Sequence, residues 1–134
     1  MTNQYQDILD QLDRNGKLEF ENQQEVRLAM LKLCGLVAHL FDNRTIELLN
    51  SAKCIDDITD NDRGELHYKL NEISDYDNTK YNALKALTIS IKKPLQEDED
   101  IDLLFPLEYC IEYCVRANNT ITDEQIIAIL IEIK

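Results

Sequence analysis

The chain has 134 residues, 44% of them apolar, enough for one core and so for a single domain over residues 1–134. Its 26 Asp and Glu against 14 Lys and Arg give a net charge of −12, a field that repels nucleic acid and anionic membrane and attracts basic surfaces. No apolar run approaches the ~18–20 residues of a membrane span, and Met1–Asp7 has neither the basic start nor the apolar core of a signal peptide, so a cytoplasmic location is expected.

With only three Gly and two Pro and many Leu, Ile, Lys, Glu and Gln, the composition is helical. Residues of about 3–13 place Tyr5, Ile8, Leu9 and Leu12 on one helical face, and Gly16 breaks the pattern. Asn22 with Glu25 reads as an N-cap pair opening a long helix to about Phe41. This helix is apolar nearly all round, apart from a stripe of Glu25, Lys32 and His39, and therefore belongs at the centre of a bundle. Asp42-Asn43 reads as the cap of a short helix through Ile46, Leu49 and Ala52. Asp62 with Glu65 is expected to cap the next helix, which buries Leu66, Leu70 and Ile73. Asp75–Thr79 reads as a turn. Residues of about 79–92 read as an amphipathic helix on Tyr81, Leu84, Leu87 and Ile91, ended by Pro94.

After an acidic loop at Glu97–Asp100, Pro106 fits the first turn of a helix to about Ala117, closed by Asn118-Asn119. Thr122 and Gln125 form a capping box, and Ile121 with Ile126 a hydrophobic staple. That start signal favours a helix over a buried strand for the apolar run Ile126–Ile133. The expected fold is all-α: an irregular bundle or short helical stack of about six to eight helices.

The charge comes in blocks. Residues 56–77 carry 8 acids and 2 bases, residues 78–96 carry 4 bases and no acid, and residues 97–134 carry 10 acids and 2 bases. The basic residues Lys80, Lys85, Lys92 and Lys93 read as a solvated helix face. No Gly-rich phosphate loop, His-Glu zinc motif or nucleophile elbow is present, so an enzyme is not expected.

Two metal signals resolve the same way. Gln11–Asn22 resembles a calcium-binding EF-hand loop in Asp13, Asn15, Gly16 and Leu18. Gln11 and Asn22, however, stand where such a site needs its first carboxylate and its bidentate Glu. Among Cys34, Cys54, Cys110 and Cys114, the pair 110/114 shares a helix face, but with no zinc-site spacing and no nearby His39 or His67. The cysteines are therefore expected as small apolar residues of a reducing compartment, with no metal and no cofactor.

The sharpest motif is a doubled triplet, Glu108-Tyr109-Cys110 and Glu112-Tyr113-Cys114. On a helix, Leu103, Leu107, Cys110, Cys114 and Ala117 face the core, Glu108 and Glu112 face water, and Tyr109 and Tyr113 lie at the boundary. Tyrosine framed by carboxylates is an interface surface: rigid area with a polar tip. Asp98, Glu99, Asp100 and Asp102 lead into it. A second candidate face is Asp60, Asp62, Glu65, Tyr68, Glu72, Asp75 and Tyr76.

In size, charge and composition the whole chain resembles the small acidic all-helical immunity proteins of bacterial toxin systems, of the colicin or contact-dependent growth inhibition type. The resemblance implies an inhibitor that binds a basic toxin nuclease domain through an acidic face. The adjacent tyrosine pair of colicin DNase immunity proteins is missing, so no binding residue is carried over by position. A helical adaptor or regulator, and a nucleic-acid mimic directed at a DNA-binding defence protein, are the alternative expectations.

Overall fold

Few helix breakers and four good N-caps produce a chain of short helices. The structure, a computed structural model, describes residues 4–52, 57–73, 75, 78–92 and 103–133, the Phe20 side chain excepted. Among the described residues there are seven α-helices and no strand: α1 Gln4–Arg14, α2 Gln23–Gly35, α3 Asn43–Ser51, α4 Asp60–Asn71, α5 Thr79–Ser90, α6 Leu104–Ala117 and α7 Asp123–Leu130. Short 3₁₀ turns cover Phe20–Asn22 and Ala38–Leu40. None of the helices is long and apolar enough to cross a membrane.

Side chains set most helix starts. Asp42 accepts from the Thr45 N–H at 2.8 Å, and Asn78 from the Lys80 N–H at 2.8 Å. Thr122 and Gln125 make the expected reciprocal capping box, and the apolar run behind it is helical through Leu130. The start of α4 lies three residues before its expected place. Thr59 is the N-cap, and Asp62 is its capping-box partner rather than the cap itself. The expected pair at Asn22 and Glu25 does not form either: the Asn22 amide instead donates to Lys17 O at 2.7 Å. Nor does α2 continue to Phe41. It tightens at Gly35 into bonds from Leu36 N to Leu33 O and from Val37 N to Cys34 O, then a 3₁₀ turn.

Asp42 also accepts from the Lys69 ammonium at 2.9 Å. The Thr45 N–H and then this ammonium favour the ionised carboxylate and hold its pKa at about 2, against an ordinary 3.8. A depressed carboxylate contributes stability that is present above 3.8 and is lost as pH falls through about 2. Asp42→Asn is therefore expected to lower the urea midpoint at neutral pH. Its deficit should shrink over the same window and vanish below it. A deficit independent of pH would assign the cap to hydrogen bonding alone.

One hydrophobic cluster runs through all the layers. α5 pairs most extensively with α6; α2 packs on α5, α6 and α7; α1 packs on α7, and α4 on α5. Thus α2 and α5 are central. For α2 this is the expected position. For α5 the amphipathic reading is corrected, because Asn82, Ala83, Leu84, Ala86, Leu87, Thr88, Ile89 and Ser90 are all buried. Its polar residues bond back along their own helix: Asn82 to Asn78 O at 3.1 Å, Thr88 to Leu84 O at 2.8 Å and Ser90 to Ala86 O at 2.8 Å. Satisfied in this way, small polar side chains enter a core at little cost.

The C-terminal carbonyls of α5 find donors on two neighbouring helices. Arg27 of α2, 2% exposed, donates from Nη1 to Ile89 O at 2.9 Å and Ser90 O at 3.4 Å. Arg63 of α4 donates from Nε to Ile91 O at 2.6 Å. Two guanidiniums at the negative end of the helix dipole bind the last turn of α5 to α2 and α4.

Candidate protein-binding face and buried cysteine cluster

Helix α6 separates its inward residues as the doubled triplet requires, whereas Glu108, expected in water, is half-buried against Gln6. Leu103, Leu107, Cys110, Cys114 and Ala117 are buried, joined by Ile111. Leu103 N–H donates to Leu18 O at 2.7 Å, which ties the start of α6 to the turn after α1.

The outward face carries two large aromatics in water. Tyr109 is 52% exposed, and Phe105, one turn earlier, is 63% exposed. Glu108 is half-buried and accepts from the Gln6 amide at 3.4 Å. Glu112 is exposed and paired with Arg116 at 2.6 Å. The Arg116 guanidinium also lies 5.5 Å from the centroid of the Tyr113 ring, which rests half-buried against the core. The two tyrosines therefore divide: Tyr109 presents surface, while Tyr113 is a core-edge residue clamped by a cation. Phe105 was not legible as surface, because an apolar residue in a first turn carries no sign of whether anything covers it. Its i, i+4 spacing to Tyr109 was the available signal.

The second acidic face is less open than its composition implies. Asp60 pairs with Arg63 at 3.1 Å, and Glu65 with Arg44 at 3.1 Å. Asp62 serves the N-terminus of α4, accepting from Thr59 N–H at 3.0 Å. Three of its carboxylates thus also have partners within the fold. Tyr68 remains 67% exposed, with Glu72 and Asp75 also exposed. α4 and α6 each pack on α5, so these are two patches on separate helices. Asp98, Glu99, Asp100, Asp102 and Tyr76 lie outside the described residues, as do Lys93 and Pro94.

The inward face of α6 holds the arrangement that the sequence reading missed. Cys110 and Cys114 meet Cys34 of α2, and all three are buried free thiols. Their Sγ atoms lie within 4.8 Å of one another, the only group of three metal-ligating side chains among the described residues. The Ser90 hydroxyl of α5 lies 3.4 Å from Cys34 Sγ and 3.5 Å from Cys110 Sγ. Cys110 donates to Met30 O at 3.8 Å, and Cys114 to Leu33 O at 3.6 Å. The shared hydrogen bonds make the thiols unequal. The neighbouring Cys114 and Cys34 thiols hold Cys110 well below the usual thiol range despite burial, with Ser90 and the charge of Arg27 adding. Cys34 and Cys114 are held above that range by their bonds to Cys110 and by burial. The i, i+4 spacing revealed one pair. Nothing local connects it to Cys34, because that contact exists only once α2 packs on α6. Cys54 lies outside the described residues.

The EF-hand-like segment has a different shape from a cation loop. Residues 11–14 are the last turn of α1, and the chain reverses at Gly16, whose φ of +69° suits the residue without a side chain. Comparison with protein-family models, with curated proteins and with solved structures finds no match to this chain.

Proposed function

We propose that this protein is a non-enzymatic inhibitor of the immunity type. It binds a basic toxin nuclease domain through the outward face of α6. The observation that carries the reading is the exposed pair Phe105 and Tyr109, set beside Glu108 and Glu112 in a chain of net charge −12. Exposed aromatics one turn apart supply the area that dissociation must uncover. The surrounding negative field supplies steering, which accelerates encounter with a cationic partner and weakens with salt. Arg116 holds Tyr113 and Glu112 in place at the edge of this face. On this reading Tyr68, Glu72 and Asp75 form a second, more weakly charged patch.

The test asks first whether a neighbouring gene encodes a toxin nuclease domain, and then uses that domain with nuclease activity and stopped-flow association as readouts. The expected result is stoichiometric inhibition and an on-rate approaching about 10⁸ M⁻¹s⁻¹ at low salt, falling steeply as salt rises. Glu108→Lys with Glu112→Lys should slow association while changing stability by no more than about 0.5 kcal/mol. Phe105→Ala or Tyr109→Ala should raise the dissociation rate by about 10-fold or more. A nuclease left fully active, or an association rate indifferent to salt, would remove the reading.

A further inference from the structure

We propose that Cys34, Cys110 and Cys114 form a three-thiolate site for a soft d¹⁰ cation, with monovalent copper the ion that its geometry favours. Three sulfurs no more than 4.8 Å apart have a common point within about 2.8 Å of each, close to the metal–sulfur length of about 2.3 Å found in thiolate sites. Shifts of a few tenths of an ångström would close the difference. The ligands come from two packed helices, α2 and α6, so the triangle is held by the core rather than by a loop.

The donor set selects the ion. Among the described residues no carboxylate or imidazole joins the three sulfurs, which excludes hard cations. Zinc in structural sites takes four ligands. The further side-chain oxygen at hand is the Ser90 hydroxyl, 3.4 Å from Cys34 Sγ, a neutral group outside the thiolate, imidazole and carboxylate set that structural zinc sites use. The cysteines are 0–1% exposed, so their sulfurs do not face the solvent that would supply a fourth ligand. Monovalent copper is satisfied by three soft ligands and needs no fourth.

A buried anionic cluster requires a countercharge, and one stands beside it. Arg27 is buried and donates to Ile89 O and to Ser90 O, the residue whose hydroxyl lies 3.5 Å from Cys110 Sγ, and its Nε has no hydrogen-bond partner. Among the described residues no carboxylate pairs with it. Loading one Cu⁺ releases three thiol protons to solvent and leaves a cluster of charge −2, half of which the guanidinium offsets. Without such an anion, the chain buries a cation against dipoles alone, which is costly.

The test is an anaerobic titration of the reduced full-length chain with Cu⁺ supplied as a weak chelate, added to the folded protein and during refolding. One ion per chain is expected, with sulfur-to-copper charge-transfer absorption, three sulfur neighbours by X-ray absorption and a thermal midpoint raised by several degrees. Cys54→Ser should bind as the native chain does. Cys34→Ser, Cys110→Ser and Cys114→Ser should each lose the one-to-one uptake, and Arg27→Met should weaken it by about 10–100-fold. X-ray absorption on the native chain decides the matter even where a cysteine variant fails to fold. No stoichiometric uptake, uptake that depends on Cys54, nitrogen or oxygen neighbours, or a preference for Zn²⁺ with four ligands would each overturn the assignment. None of these readouts involves the nuclease, so this site and the binding face stand or fall separately.

Discussion

Leu107→Ala is expected to lower the unfolding free energy by about 3 kcal/mol, the range found when a buried leucine is truncated in a core that relaxes only in part. Leu107 is fully buried on the inward face of α6, the helix that makes the largest pairing in the fold, with α5. For a chain of this length the loss should appear as a fall of roughly 10 °C in thermal midpoint. Tyr109→Ala, two residues away on the outward face, should stay within about 0.5 kcal/mol of the native chain. The contrast is the informative quantity, because both changes remove a large side chain from the same helix. If both cost the same, α6 turns a different face to α5. The aromatic pair would then belong to the core.

Arg27→Ala is the second large effect, expected to cost about 3 kcal/mol by chemical denaturation. Two terms oppose each other. Removing a buried guanidinium relieves its desolvation, which favours the variant. It also leaves Ile89 O and Ser90 O without their donor and opens a cavity between α2 and α5. A buried acceptor left unsatisfied costs about 1–3 kcal/mol, so two carbonyls plus the cavity outweigh the relief. Arg27→Met keeps most of the volume and should cost about half as much. Should the methionine variant prove more stable than the native chain, Arg27 is a net burden in the empty protein. Such a burden is what a countercharge waiting for an anionic cluster would be.

The readings that succeeded and those that failed differ in kind. Thr122 with Gln125 marked α7 correctly because a capping box is complete within four residues. The buried set Leu103, Leu107, Cys110, Cys114 and Ala117 was legible because helical spacing alone decides which residues share a face. The start of α4 was misplaced because Asp62 suits both the N-cap and the third helical position, and Thr59 was the better cap. For α5, the apolar stripe of Tyr81, Leu84, Leu87 and Ile91 left Asn82, Thr88 and Ser90 out of the expected buried face. Their hydrogen bonds to their own helix, visible only in three dimensions, make them core.

Legible in the sequence alone were the presence of the helices, the caps at Asp42 and Thr122, the inward side of α6 and the sign of the protein's field, all of which depend on neighbours within about one or two turns or on simple sums of charge. Only the tertiary structure decided that Cys34 joins Cys110 and Cys114, that Arg27 reaches the end of α5, that Arg44 and Arg63 occupy the carboxylates of α4, and that Phe105 is left uncovered beside Tyr109. Each of those contacts joins residues from different helices or depends on what another helix leaves exposed. Periodicity states which face of a helix is apolar. It does not state which other helix that face will meet, because many pairings bury similar apolar area, and the choice among them rests on the packing of the whole core.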